Sequence, residues 1–194
     1  MKSRSMLASS VIVLAVFIIS VAQQRSRGQE MATGDAFLKQ AAEINLGEVQ
    51  LGKLAEQKGN NPAIRDFGKR MVEDHTRAED NLRQIAQKQG VTLPTSAGQH
   101  EAMLQQQLSG AKGAQFDQIY IEHMLSGHKG AIDAFENEIE HGSNPAIKGY
   151  AENTLSVIQD HIRIAEDVAG KMGLSGAQGL QSPPKAIAAP ASPE

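Results

Sequence analysis

Asn61-Pro62-Ala63-Ile64-Arg65-Asp66-Phe67-Gly68 is one of two similar stretches in the chain; the other reads Asn144-Pro145-Ala146-Ile147-Lys148-Gly149-Tyr150-Ala151. In each stretch the Asn side chain can cap a helix, and the Pro stands at the first helical position, where its missing N–H costs no hydrogen bond. Gly59 and Gly142 end the preceding helical patterns. Each stretch therefore predicts a helix, a tight turn and a returning helix.

Apolar residues recur at helical spacing on both sides of the two turns. The predicted helices cover about 35–58, 62–89, 114–141 and 145–172. Residues 91–113 form a long connection with a short helical piece near 101–108. This connection is long enough to cross the length of a bundle, so we predict that helices two and three run parallel. The predicted fold class is all-α: a ferritin-like four-helix bundle over residues 35–173, with a long connection between helices two and three.

The N-terminal residues have the composition of a targeting segment. Lys2 and Arg4 precede an apolar run at 6–22, and Ser20 and Ala22 are small residues at the spacing of a cleavage site. We therefore predict a signal peptide over 1–22, an exported and periplasmic protein, and no stable membrane span after cleavage. The alternative is an uncleaved anchor, for which the 17-residue run is at the short limit.

Two further segments lie outside the predicted bundle. Residues 23–34 are polar and are predicted to form a linker. Residues 174–194 are rich in Pro and Ala and are predicted to be a disordered tail.

Composition excludes several kinds of site. The chain has 19 basic and 22 acidic residues and a formal charge of -3, so it lacks the basic excess of a nucleic-acid-binding protein. It has no Cys, which excludes a disulfide framework, a thiolate metal site and a lipid-modified N-terminal Cys. No nucleophile and no open acid–base pair is evident, so an enzyme is the least favoured class.

Each predicted helix carries one polar residue within its apolar stripe, and each of these residues is a possible metal ligand. They are Glu48, His75, His128 and His161. Glu48 and His75 lie nearly equally far from the first turn, and His128 and His161 lie nearly equally far from the second. If the two turns are at opposite ends of the bundle, both pairs meet at mid-height. We therefore predict a His/Glu cluster in the middle of the bundle.

Three imidazoles and a carboxylate suit Zn, Cu, Fe or Mn. Met71 and Met124 precede His75 and His128 by four residues and share their helix faces, and a thioether with an imidazole suits copper. His123 lies close to the same stripe and is a further candidate ligand. These residues predict a transition-metal site.

A second interpretation gives the same residues a structural role only. Buried His and Glu side chains can form a satisfied hydrogen-bond network, and the two Met residues can be ordinary core packing. The protein would then be a non-catalytic structural or stress-related interaction protein of the cell envelope. Asp74 and Asp160, one residue before their His, are predicted to lie at helix seams, in solvent or behind the cluster.

The chain resembles a bacterial exported family catalogued as domain of unknown function 4142. The resemblance spans about residues 35–172 and is carried by four stretches: 47–55 (Gly-Glu-Val-Gln-Leu-Gly-Lys-Leu-Ala), 67–75 (Phe-Gly-Lys-Arg-Met-Val-Glu-Asp-His), 116–121 (Phe-Asp-Gln-Ile-Tyr-Ile) and Asp160-His161. It implies a ferritin-like bundle outside the cytoplasm and no established activity.

The resemblance also bears on the candidate ligands. The recurrent positions of the family that match here are Glu48, His75, His128 and His161. Many relatives have Asp before the third-helix His, whereas this chain has Gly127. Di-iron bundles place Glu three residues before His, whereas this chain has Val72, Leu125 and Ile158 at those positions, which argues against a di-iron oxidase.

Overall fold

The computed structural model describes the backbone of residues 8–174 and the side chains from Thr33 to Leu174. Over these residues the chain forms five helices and no strand, so the predicted all-α class is confirmed. The helices are α1 (Ala8–Lys58), α2 (Pro62–Gln89), α3 (Gln99–Gly110), α4 (Gly113–His141) and α5 (Pro145–Lys171).

Both Asn-Pro pairs begin helices, as predicted. The Asn61 side chain accepts a hydrogen bond from the Ala63 N–H, and Asn144 does the same for Ala146, each at 2.9 Å. The Pro that follows each Asn occupies the first turn of α2 or α5. The repeat therefore begins the second helix of two hairpins, α1–α2 and α4–α5, with a local cap.

The two hairpins are related by a connection that returns along the bundle. The backbone N–H groups of Asn60 and Asn61 each donate to the Asp117 carboxylate at 2.8 Å, so α2 and α4 begin at the same end. At the other end, Gln89, Glu138 and Asn144 line a common cavity. Helices α2 and α4 are therefore parallel, and α3 lies in the returning connection against α1 and α4.

The start of the first helix differs from the prediction. Helix α1 begins at Ala8 and continues through residues 23–34, which were predicted as a linker before a helix start at Asp35. The physical reason is that Pro62 is the first proline of the chain, and single glycines such as Gly28 and Gly34 cost only about 1 kcal/mol each in a helix. The signal peptide and its cleavage after Ala22 stay predictions.

Parts of the sequence analysis concern residues that the structure does not describe. The predicted tail lies outside the described residues except for Leu174, and the side chains of the predicted signal peptide lie outside them too. Within the described residues, no helix combines the length and the apolar character that crossing a membrane requires.

Buried apolar residues form two clusters at opposite ends of the bundle. The cluster at the α1–α2 turn includes Leu51, Phe67, Met71, Phe116, Tyr120 and Met124. The cluster at the α4–α5 turn includes Phe37, Leu82, Phe135, Tyr150 and Ile158. In each long helix buried polar residues stand between the two clusters, and we call this set the polar layer: Asn45, Glu48, Asp74, His75, His128 and His161. The layer lies at mid-height in the bundle.

Candidate metal centre

His75 enters the polar layer from α2, with its Nδ1 atom 3.0 Å from Asn45 Oδ1. Asn45 donates from Nδ2 to the Tyr150 hydroxyl at 3.1 Å, which orients the amide so that its oxygen faces His75. Because an amide oxygen only accepts, His75 Nδ1 carries the proton and Nε2 keeps its lone pair. His75 Nε2 is buried and has no hydrogen-bond partner among the described residues.

His128 enters the layer from α4, where its Nδ1 lies 2.9 Å from the carbonyl oxygen of Met124, one turn earlier. The carbonyl accepts, so Nδ1 donates and Nε2 is the unprotonated nitrogen. This local hydrogen bond is available wherever His occurs in a helix with its ring turned toward the preceding turn. It directs His128 Nε2 toward the centre of the layer.

His161 enters the layer from α5 and contacts Asp74 on α2. Its Nε2 lies 3.0 Å from Asp74 Oδ2. The buried Asp74 carboxylate also accepts hydrogen bonds from Arg70 and Arg77. Because a carboxylate only accepts, it holds a proton on His161 Nε2 and leaves Nδ1 to face His128 Nε2 at 3.2 Å.

The three histidines converge. One ring nitrogen from each lies within 4.8 Å of the other two, and all three side chains are buried. Burial lowers the pKa of His75 to about 3 and that of His128 to about 4, against the opposing effect of Glu48. Burial also lowers the pKa of His161, although its hydrogen bond to Asp74 opposes the shift. All three rings are therefore neutral at pH 7.

Neutral rings with these outer hydrogen bonds direct three lone pairs at one another. Each outer nitrogen donates to an amide oxygen, a backbone carbonyl or a carboxylate, which is the arrangement around metal-bound histidines. Two nitrogens on tetrahedral Zn²⁺, with bonds of about 2.0–2.1 Å, lie about 3.3 Å apart. The observed separation of 3.2 Å between His128 and His161 is close to that value. These two nitrogens are therefore already at the separation that two ligands have on one cation.

Glu48 lies beside the three histidines rather than within their group. Its Oε1 atom is 3.8 Å from His123 Nε2, and its Oε2 is buried with no hydrogen-bond partner in the described part of the chain. Burial raises the pKa of Glu48, but the imidazoles of His123, His128 and His75 outweigh burial and lower it to about 2. Glu48 is therefore a buried carboxylate next to His75 and His128, whose rings are neutral at pH 7.

A cavity of about 240 Å³ between α1 and α4 reaches the polar layer from the surface. Its buried part is lined by Glu48, His75 and His128, and its outer part by the exposed His100 and Gly130. Much of the α4 wall consists of Gly and Ala, which leave the space open. An ion can therefore approach the histidines from the α1–α4 side.

The other predicted ligands have different surroundings. Met71 and Met124 are fully buried in the apolar cluster at the α1–α2 turn, where they pack as core residues. His123 lines the cavity, and its ring centroid is 5.4 Å from that of His100. Asp160 is paired with Arg163 at the surface, whereas Asp74 is buried behind His161.

Sequence reasoning missed two buried polar groups: Asn45 in the polar layer, and the hydroxyl of Tyr120 in the apolar cluster at the α1–α2 turn. Asn45 orients His75, and its position three residues before Glu48 in the α1 stripe was a usable signal. The buried hydroxyl of Tyr120 has no hydrogen-bond partner within residues 33–174. Burial and the charge of Glu48 raise the pKa of Tyr120 well above its usual value.

Comparisons with known proteins agree with this fold. No curated protein matches the chain. The crystal structure of a DUF305 fragment from Deinococcus radiodurans is similar, with a TM-score of 0.61 and 14% identity, over 74% of this chain and 96% of that one. At this identity the likeness shows the fold alone. The family described as Domain of unknown function (DUF4142) matches residues 20–168, most of the chain. The protein therefore belongs to the DUF4142 family.

Proposed function

We propose that the protein binds one transition-metal ion through His75, His128 and His161, with Glu48 adding a negative charge beside it. The observation that carries the proposal is the convergence of three imidazole nitrogens within 4.8 Å, each on a ring whose other nitrogen is already hydrogen-bonded. Three lone pairs that face one another repel, and a cation between them converts this repulsion into three bonds.

The donor set favours Zn²⁺ or copper over Fe or Mn. Three neutral nitrogens suit Zn²⁺ and Cu²⁺, whereas Mn²⁺ prefers oxygen-rich sites. Three protein nitrogens also leave a fourth position for Glu48, water or a ligand that enters through the cavity. A role in holding or transferring a metal ion fits these residues better than catalysis.

The type of helical bundle and the export of the protein are also part of the proposal. Two helical hairpins, parallel α2 and α4 and a long connection support a ferritin-like bundle. The charged and apolar N-terminal pattern supports export and cleavage after Ala22. N-terminal sequencing of the native protein tests export, and an intact Met1 in the membrane fraction would contradict it.

Metal analysis of full-length protein, purified without an affinity tag, tests the metal site. We expect stoichiometric metal, or one tightly bound equivalent of Zn²⁺ or Cu²⁺ when the metal-free protein is titrated in calorimetry. Binding should also raise the melting temperature, because the metal favours the folded state. The His75→Ala/His128→Ala double variant should lose binding, whereas the exposed His141→Ala control should keep it.

The competing function is a structural protein of the envelope in which the polar layer is only a hydrogen-bond network. One observation favours it: Met124, His128, His161 and Asp74 form a continuous chain of contacts between 2.9 and 3.2 Å. In that case no metal would bind or shift the melting temperature, and His75→Leu would be close to neutral in stability. In a metal site the same variant abolishes binding.

A further inference from the structure

The Glu48 carboxylate and the largely buried His123 ring face each other in the α1–α4 cavity at more than hydrogen-bonding distance. The side chains of Glu48 and His123 are only 5% and 9% exposed, and Glu48 Oε1 is 3.8 Å from His123 Nε2. Among the described residues, neither Glu48 Oε2 nor His123 Nε2 has a hydrogen-bond partner. Unpaired polar groups at this depth are costly, so this pair requires an explanation.

The spacing of the pair suits a bound ion better than a direct contact. A separation of 3.8 Å is too long for a hydrogen bond. Two metal–ligand bonds of about 2.0–2.2 Å span at most about 4.3 Å, so one cation can contact both atoms. A carboxylate and an imidazole are both ligands of Zn²⁺ and Cu²⁺.

A third candidate ligand lies next to this pair. His100, on α3, has its ring centroid 5.4 Å from that of His123. Its position depends on α3 packing closely against α1, because Gly47 makes room there: a Cβ on Gly47 would lie 2.4 Å from Glu101 Cγ. His100 is exposed and lines the outer part of the cavity. It can reach an ion that enters from solvent.

This pair is distinct from the three histidines at the centre. The converging group contains His75, His128 and His161 but neither Glu48 nor His123. Both sets line the same cavity, with Glu48 between them. We propose that Glu48 and His123, with His100 at the mouth, form a second, outer site for a divalent transition-metal ion. The proposal extends the proposed function, because ions entering the cavity would meet the outer site before the central one.

Calorimetric titration of metal-free, full-length protein with Zn²⁺ tests the outer site. We expect two classes of site, with the outer one at least about 10-fold weaker because it has fewer nitrogen ligands. His123→Ala should remove the weak class and leave the tight one, and His161→Ala should do the reverse. His100→Ala, at an exposed position, should weaken only the outer class, and circular dichroism should show that each variant is folded.

The possible results separate the two proposals. A single class of site that His123→Ala does not change would overturn the outer site and leave the central one intact. A single class of site that depends on His123 but not on His161 would overturn the central site and support the outer one. Failure of Zn²⁺ to bind the folded wild-type protein would overturn both.

Discussion

Helix α1 packs closely against α2 but is separated from α4 by a cavity, although glycines line both interfaces. At the α2 interface, a Cβ on Gly68 would lie 2.7 Å from the Ala55 Cβ and 2.7 Å from the Gly52 carbonyl oxygen. At the α4 interface Gly130 lines a cavity of about 240 Å³. A Cβ on Gly130 would meet no described neighbouring atom within 4 Å. The same residue type therefore brings two helices together on one side and leaves a space on the other.

The buried polar side chains also differ between the closely packed α2 side and the open α4 side. On the α2 side, Asp74 is paired with Arg70, Arg77 and His161. On the α4 side, beside the cavity, Glu48 Oε2 and His123 Nε2 have no hydrogen-bond partner within the described structure. The packed side holds the histidine rings in a fixed orientation, and the open side gives an ion access to them. A metal site in a bundle requires both properties, since its ligands must be ordered before the ion arrives.

The largest expected effect is a loss of stability in acid. His75 and His128 take up protons near pH 6.5 when unfolded but only near pH 3 and pH 4 when folded. The unfolded state therefore binds more protons below pH 6.5, and the free energy of unfolding of the metal-free protein falls as pH falls. From pH 7.5 to pH 5 we expect a loss of about 4 kcal/mol from these two rings together.

Urea denaturation at several pH values measures this loss. Between pH 6.5 and 4.5 the histidines dominate the loss, because Glu48 contributes mainly below its usual pKa of 4.5. Burial raises the pKa of Glu138, so this carboxyl acts in the opposite direction in all variants alike. His75→Leu should remove about half of the loss, and the exposed His141→Leu should remove none of it. His161→Leu should remove less of the acid-induced loss of stability than His75→Leu does. The reason is that burial lowers the pKa of His161 while its hydrogen bond to Asp74 opposes that shift. Equal slopes in all variants would show that the rings are not buried in solution.

The next largest effect tests the contact between Asp74 and His161 in the polar layer. Asp74→Asn keeps the shape of the side chain but weakens the contact that orients His161. We expect Zn²⁺ affinity to fall about 10–100-fold, or about 1.4–2.7 kcal/mol. Asp160→Asn is the matched control, because Asp160 directly precedes His161 but pairs with Arg163 at the surface. Calorimetry that shows the same affinity for both variants would contradict an orienting role for Asp74.

The turns and the four polar positions could be predicted because each has a local signal. An Asn before a Pro caps its own helix whatever the rest of the fold does. Glu48, His75, His128 and His161 each interrupt an apolar stripe, and counting residues from the turns puts them at one level. The long connection predicted parallel second and third helices by its length alone.

The pairing within the layer could not be predicted, because it depends on how each helix is rotated about its axis. Asp74 is about 100° around α2 from His75, and only the position of α5 decides that it contacts His161 rather than solvent. The cavity has the same origin, since Gly127 and Gly130 could equally have allowed close packing. The extension of α1 to Ala8 was missed because a polar composition was taken as a linker, although nothing in 23–34 breaks a helix.

A smaller effect tests the packed interface of α1 and α2. Gly68→Ala would place its Cβ against the Ala55 Cβ and the α1 backbone, at distances that no ordinary contact allows. We expect a loss of about 1–3 kcal/mol in the free energy of unfolding, in spite of the higher helix propensity of Ala. Urea denaturation measures it. Gly149→Ala on α5, where the Cβ would meet no described atom within 4 Å, is the control and should not destabilise.

The smallest effect should have the opposite sign. Gly130→Ala also adds a single methyl group in the middle of a helix, but at the open interface, where space for it exists. Because Ala loses less conformational entropy than Gly in a helix, we expect a gain of about 0.5–1 kcal/mol in the free energy of unfolding. Zn²⁺ affinity should not change, since one methyl group occupies little of the cavity. The same change at Gly68 and Gly130 thus compares the two interfaces directly, and a loss of stability in both would mean that α4 closes against α1 in solution.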